Sequence, residues 1–371
     1  MKKLIALLLV IASLSAHAWE PTKPVTVIIG NAPGAGNEIA LRKLTGIIEK
    51  ANPKVNFVVQ NMPGADSVIS MNYFLTVPPD GHTVAIPSHM STYVTNDIWE
   101  KSVKKFSYNE FTSVLTIGKS PLVLVASSVS KVNTPEDFVQ LIATTKKPVS
   151  IALGGGAHRT AFEYLMDKNN GNRDLVKPVK FNGPLQAVTS VAQFATAGGT
   201  EFGIMPIAIA QPLYQAGKIT LIGFTGTKSM PQYPNVPFLN RVAPGINVYA
   251  AWTLALPPNA SKDIVEWYKV EFNKAIGSQE YQEWMKENIV FIEPKELDPA
   301  GLRQQIEFLH KTFLSARSFT SGNAKLAFTE SVNFVMTGAG VPAGAYKATH
   351  DSSWKVGNPA SAVVGTLGMP G

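Results

Sequence analysis

No cysteine occurs among the 371 residues. A disulfide framework, thiol catalysis and Cys-ligated zinc or iron–sulfur centres are thereby excluded. Charge is also sparse, at 16% Asp, Glu, Lys and Arg, and no Lys/Arg run exceeds two residues. The net charge of +7, two units of it from Lys2 and Lys3, is spread along the chain. It suits a small anionic ligand and not a nucleic-acid backbone. His82, His89, His158, His310 and His350 form no His-x-His or HExxH spacing, so neither a metal nor another cofactor is expected. A Gly-x-Ser-x-Gly elbow is missing as well. No apolar stretch reaches the roughly 20 residues of a membrane-spanning helix.

What is present begins with a leader. Lys2 and Lys3 precede the apolar run Leu4 to Leu14, and Ala16-His17-Ala18 gives a small-x-small cleavage pattern. Residues 1–18 therefore read as a signal peptide cut after Ala18, and the mature chain as an exported, soluble protein. At 45% hydrophobic residues, the rest has enough core for one large domain or two medium lobes.

Apolar β-branched runs alternate with helical patterns. Strands are predicted at Val25–Ile29, Val55–Val59, Thr83–Ile86, Pro121–Ala126, Val149–Leu153, Glu201–Met205, Ile219–Phe224 and Tyr249–Leu256. Asn37, Asp66, Thr134 and Ser261 are placed to cap helices, and Asp298-Pro299 to open the last one, with Leu302, Ile306, Leu309 and Phe313 inside. The alternation implies parallel sheets with right-handed crossovers. From about residue 321 the periodicity stops, and 321–371 reads as a C-terminal extension that either wraps the lobes or moves.

In an open parallel sheet, ligands sit at the carboxyl ends of strands near helix starts. Two glycine turns have that form. The first is Ala32-Pro33-Gly34-Ala35-Gly36-Asn37, and the second is Gly154-Gly155-Gly156-Ala157-His158-Arg159. Glycine lets the backbone approach a ligand, and the helix start offers N–H groups to an anion. Neither segment has the spacing of a dinucleotide or P-loop signature. Arg159 is a candidate for gripping a carboxylate at two points, or else pairs with Glu163 one turn on. His158 is a candidate hydrogen-bond donor.

Further motifs follow in order: Lys23-Pro24-Val25-Thr26, Asn61-Met62-Pro63-Gly64-Ala65, Pro79-Asp80-Gly81-His82-Thr83, Phe181-Asn182-Gly183-Pro184, Gly217-Lys218-Ile219, Pro234-Asn235-Val236-Pro237 and Trp252-Thr253-Leu254-Ala255-Leu256-Pro257. With the two glycine turns, they make residues 20 to 318 resemble the periplasmic receptors of tripartite tricarboxylate transporters, the Bug or TctC family. The resemblance implies an α/β, two-lobed binding protein that closes on its ligand, each lobe a mixed, mostly parallel sheet flanked by helices. It implies lobe I from 19–128 and 223–320, lobe II from 129–222, a monomer, and no catalysis. A small carboxylate would be enclosed by Pro33, Gly34, Ala35 and Gly36 on one side and Gly155, Gly156, Ala157 and His158 on the other. Asn182, Gly183 and Trp252 fall on positions that line the family's cleft, and Ser88 is a further contact. The stretch after the late strand, where the family often holds Asp, reads Met205-Pro206-Ile207, and Met205 is a further candidate ligand contact. The implied partners are a permease of one large and one small subunit. Alternatives are a ligand-sensing partner of a receptor kinase, or a secreted hydrolase or lyase on a similar scaffold.

Overall fold

The computed structural model describes residues 19–99, 102–226, 230–246 and 248–315. The expected leader and the 321–371 extension lie outside the described residues. In chain order the main elements are β1 (Val25–Ile29), α1 (Gly36–Ala51), β2 (Phe57–Asn61), α2 (Val68–Phe74), β3 (Thr83–Ala85), β4 (Thr112–Ser127), α3 (Pro135–Thr144), β5 (Val149–Leu153), α4 (Gly156–Lys168), β6 (Val176–Lys180), α5 (Pro184–Ala192), β7 (Phe202–Pro206), α6 (Ile207–Gln215), β8 (Ile219–Phe224), β9 (Tyr249–Leu256), α7 (Lys262–Gly277), α8 (Gln279–Glu287) and α9 (Pro299–Ser315).

Two half-sheets repeat one pattern. In the first, β1 lies between β2 and β3, parallel to both. In the second, β5 lies between β6 and β7, again parallel to both. Each central strand ends in one of the two glycine turns. Antiparallel strands join the halves, in the order β2-β1-β3-β9-β4-β7-β5-β6, with β8 also on β4. β4 belongs to both. Thr112 to Pro121 pair with β9, and Leu122 to Ala126 run between β7 and β8. The predicted strand Pro121–Ala126 is thus the second half of a longer one. Its first half is buried on both faces and interrupted by two register shifts, so it shows no alternation.

Local chemistry explains most boundaries. Thr134 Oγ1 accepts from the Asp137 N–H (3.1 Å) and Ser261 Oγ from the Ile264 N–H (3.5 Å). Asp298 Oδ2 accepts from the N–H groups of Ala300 and Gly301 (3.0 and 3.2 Å), opening α9, where Leu302 and Ile306 are buried. The side chains of Leu309 and Phe313 lie outside the described residues. Two predicted caps do not form. α1 starts two residues earlier, with Ala35 at the cap position, and Asn37 lies within the helix. Its amide instead donates to Asn31 Oδ1 and the Ile86 carbonyl (3.1 and 3.2 Å), pinning the turn to the end of β3. Asp66 precedes α2 in a left-handed run, Ala65, Asp66 and Ser67, with φ of 45, 51 and 73°.

A buried ion pair fastens the C-terminal segment to β4. Lys119 Nζ lies 3.1 Å from Glu296 Oε1, and the two side chains are 5% and 0% exposed. Lys119 also exchanges backbone hydrogen bonds with Phe291 (2.8 and 2.9 Å). Burial works to raise the Glu296 carboxyl, but Lys119, His89 and hydrogen bonds hold it below the usual range. Removing one partner strands a buried charge, at about 3–5 kcal/mol, whereas an apolar pair of similar volume is nearly neutral. Lys119→Met should therefore lower the unfolding free energy by about 3 kcal/mol or more. Lys119→Met with Glu296→Leu should recover most of it in chemical denaturation. A double variant as unstable as the single one contradicts this role for the pair.

Candidate functional site

On the β1 side, the turn from Asn31 to Gly36 carries the chain into α1. Gly34 donates its N–H to Glu38 Oε2 (3.1 Å), and Glu38 also takes Asn61 Nδ2 (3.1 Å) and Arg42 (2.7 Å). The turn is therefore held by its own helix. The first N–H groups of α1, from Gly36 and Asn37, have no preceding helical turn to accept them. Trp252 on β9 closes this side. It is 4% exposed, bridges Ser88 on the opposing backbone, and lays its ring edge against Gly36. A Cβ on Gly36 would sit 2.5 Å from Trp252 Cζ2, so only glycine permits this approach.

On the β5 side, Gly154 donates its N–H to His158 Nδ1 (3.0 Å), and Gly156 donates to Ser91 Oγ (3.1 Å), a residue of the first half. Because His158 Nδ1 accepts, its proton resides on Nε2, which makes the ring a donor. Burial alone lowers the His158 pKa to about 3, so the ring is neutral at ordinary pH.

The two turns meet. Ala32 donates its N–H to the Asn182 carbonyl (3.1 Å), linking the loop after β1 to the loop after β6. Gly183 packs on Ala32, and Leu185 on Gly34. Gly154 lies against the Gly183–Pro184 backbone, where a Cβ would come within 2.6 Å. Between the turns is a cavity of ≈ 20 Å³, space for about one water. Ala35, Gly36, Asn37, Ser88 and Trp252 line it from one half, and Gly155, Gly156, Ala157 and His158 from the other. A second chamber of ≈ 170 Å³ shares Gly155 and Gly156 and is bounded by Arg159, Lys180, Asp66, Leu153 and Pro178.

Of the expected residues, several therefore stand outside the small cavity. Pro33 is exposed, and Gly34 faces Leu185. Asn182 and Gly183 join the loops through backbone contacts. Met205 is buried in the second core with Val123 and Val188, while its neighbour Pro206 lines the cavity. Arg159 belongs to the second chamber, with its Nε 3.7 Å from Glu163 Oε1, the pairing weighed from the sequence. Sequence reasoning missed Asn31, Ser91, Asp66 and Lys180. Ser91 begins a π-helical stretch, Ser91–Thr95, that no periodicity announces. Lys180 ends β6, an unpredicted strand because Pro178 interrupts it; such a proline is tolerated in a strand at the sheet edge.

His158 gives a signed pH dependence. Its folded pKa of about 3 lies below the ordinary 6.5, so its neutral burial supports the fold fully above pH 6.5. Below that the unfolded chain binds the proton first, and stability falls as pH drops toward 3. In chemical denaturation, His158→Gln should lose less stability than wild type between pH 7 and 4, by about 2–3 kcal/mol. Equal losses contradict the neutral, buried assignment.

Comparison with known proteins supplies the family. The profile of the tripartite tricarboxylate transporter family receptor matches residues 49–307. A protein from the gbd 5′ region of Cupriavidus necator is 24% identical over 266 residues, covering 71% of this chain and 77% of that protein. Among solved structures, MatC of Rhodopseudomonas palustris with bound malate superposes with a TM-score of 0.72 at 18% identity, covering 84% of this chain and all of that one. A second R. palustris protein, solved with adipate, gives 0.73 at 18% identity, covering 81% and 98%. At such identities the structural likeness speaks for the fold, the two-lobed α/β architecture of periplasmic binding proteins. With the profile matching most of its length, the chain belongs to the tripartite tricarboxylate transporter receptor family.

Proposed function

We propose that the protein is a periplasmic receptor that encloses a small dicarboxylate between its lobes and hands it, unchanged, to the large and small subunits of a membrane permease. The observation that carries this reading is the meeting of two helix starts, at Gly36 and Gly156, across one crevice. Oriented N–H groups at such ends replace the water lost by a buried carboxylate. Similar proteins were solved with malate and adipate, both dicarboxylates.

The proposed lobes are 19–128 with 223–320, and 129–222. β4, which hydrogen-bonds into both half-sheets, is the shared connection. A crevice of ≈ 20 Å³ does not admit a dicarboxylate, so the lobes must part and close again. A ligand touching both lobes only when they are closed shifts the population toward closure. The first carboxylate sits between the glycine turns, and the second reaches the adjoining chamber and Arg159. Export by the 1–18 leader and action as a monomer complete the reading.

Malate and adipate at about a hundredfold above their dissociation constants should stabilise the mature protein by about 2.7 kcal/mol, raising its melting temperature by several degrees. Arg159→Ala should weaken either diacid about tenfold or more and leave the monoacid butyrate nearly unchanged. Equal loss for diacids and butyrate removes Arg159 from the site. A panel of organic acids that leaves the melting temperature unmoved overturns the receptor reading.

A further inference from the structure

Asp66 enters neither the sequence-derived site nor the proposed capture mechanism, yet the structure takes trouble to place it. It is the middle of three successive non-glycine residues with positive φ. Such conformations cost on the order of 1 kcal/mol or more each and persist only where the surroundings impose them. Here Asn96 Nδ2 donates to the Asp66 carbonyl (3.2 Å), and Ser91 Oγ donates to its carboxylate Oδ1 (3.0 Å). The same Ser91 oxygen accepts from the Gly156 N–H (3.1 Å). A hydrogen-bonded chain thus runs from the start of α4 through Ser91 to the Asp66 carboxylate.

That carboxylate lies along the open face of the second glycine turn. Its Oδ2 is 3.1 Å from where a Cβ on Gly156 would stand, and its Oδ1 is 3.7 Å from the corresponding point on Gly155. It also borders the ≈ 170 Å³ chamber, whose other charged lining groups are Arg159 and Lys180. One acid therefore shares the chamber with two cations, and Glu163 sits against one of them at 3.7 Å. An incoming anion meets cations already balanced in part by the protein's own carboxylate.

We propose that Asp66 is a specificity-determining residue, an internal carboxylate that competes with the ligand's second carboxylate for Arg159, Lys180 and the glycine edge. This rests on the receptor reading and deepens it by naming the ligand class. The chamber takes one negative group, favouring dicarboxylates over tricarboxylates, and holds affinity for diacids below what the two cations alone would give. Asparagine keeps the shape, tolerates the left-handed backbone and still accepts from Ser91. Asp66→Asn therefore isolates the charge.

The test is calorimetric titration of the mature chain with malate, citrate and butyrate at low and high salt. Asp66→Asn should tighten malate about fivefold or more and citrate by a larger factor, with butyrate changed less than about twofold. These gains should shrink at high salt. Lys180→Gln, at an exposed strand end, should act oppositely and weaken malate about fivefold, which keeps the inference testable should the first variant not fold. Malate bound equally or more weakly by a folded Asp66→Asn, or unmoved by Lys180→Gln, overturns the role of Asp66 while leaving the receptor reading intact. Absence of binding of every acid by the wild type and both variants overturns the receptor reading and this inference with it.

Discussion

Main-chain N–H groups at the start of a helix cannot be satisfied by the helix itself, and when two such starts are buried face to face they need acceptors from elsewhere. Much of this molecule is organised around that requirement. Gly34 finds Glu38, Gly154 finds His158, and Gly156 finds Ser91 across the crevice. Each acceptor is internal and each stiffens its turn. In the proposed function, a carboxylate bound between the turns would be a further acceptor of the same kind, carrying a full charge. In the proposed receptor, the glycine turns and the surrounding polar residues serve one purpose: to bring main-chain donors from both turns to one crevice.

Facing turns also need a frame that holds them in register. β4 provides it, since its two halves hydrogen-bond into different half-sheets. Near the change-over, Gly118 pairs with Trp252, whose ring closes the crevice, and Lys119 anchors the C-terminal segment through Glu296. The buried ion pair thus starts from the residue next to Trp252's strand partner. Among the described residues, hydrogen bonds between the proposed lobes include Ala32 to Asn182, Gly156 to Ser91 and the Tyr164 hydroxyl to the Pro244 carbonyl, which the proposed opening would break. These are single neutral bonds worth about 1 kcal/mol each, a scale that ligand binding can readily outweigh.

The parts of this arrangement legible in the sequence were those with local causes. The strands β1, β5, β8 and β9 are short β-branched or apolar runs between turn residues, and they fall where predicted. The caps at Thr134 and Ser261 follow from side chains that reach their own backbone. Both glycine turns were recognisable because strand, glycine and helix stand in immediate succession. Long-range causes left no local mark. Asn37 and Asp66 look like caps, yet tertiary partners recruit them: Ile86 for the one, Ser91 for the other. The first half of β4 is buried on both faces and lacks a period, and β6 is broken by Pro178. Missing β6 hid Lys180, and with it the cationic chamber beside Arg159.

The central claim is that main-chain donors from two distant turns converge on one carboxylate. The most direct measurement is amide NMR of mature protein labelled with 15N-glycine, titrated with malate. The account predicts that Gly36 in the first turn and Gly155 and Gly156 in the second shift together along one saturation curve, while Gly277 at the end of α7 stays still. Shifts confined to one turn, or absent from both while malate binds, would contradict it.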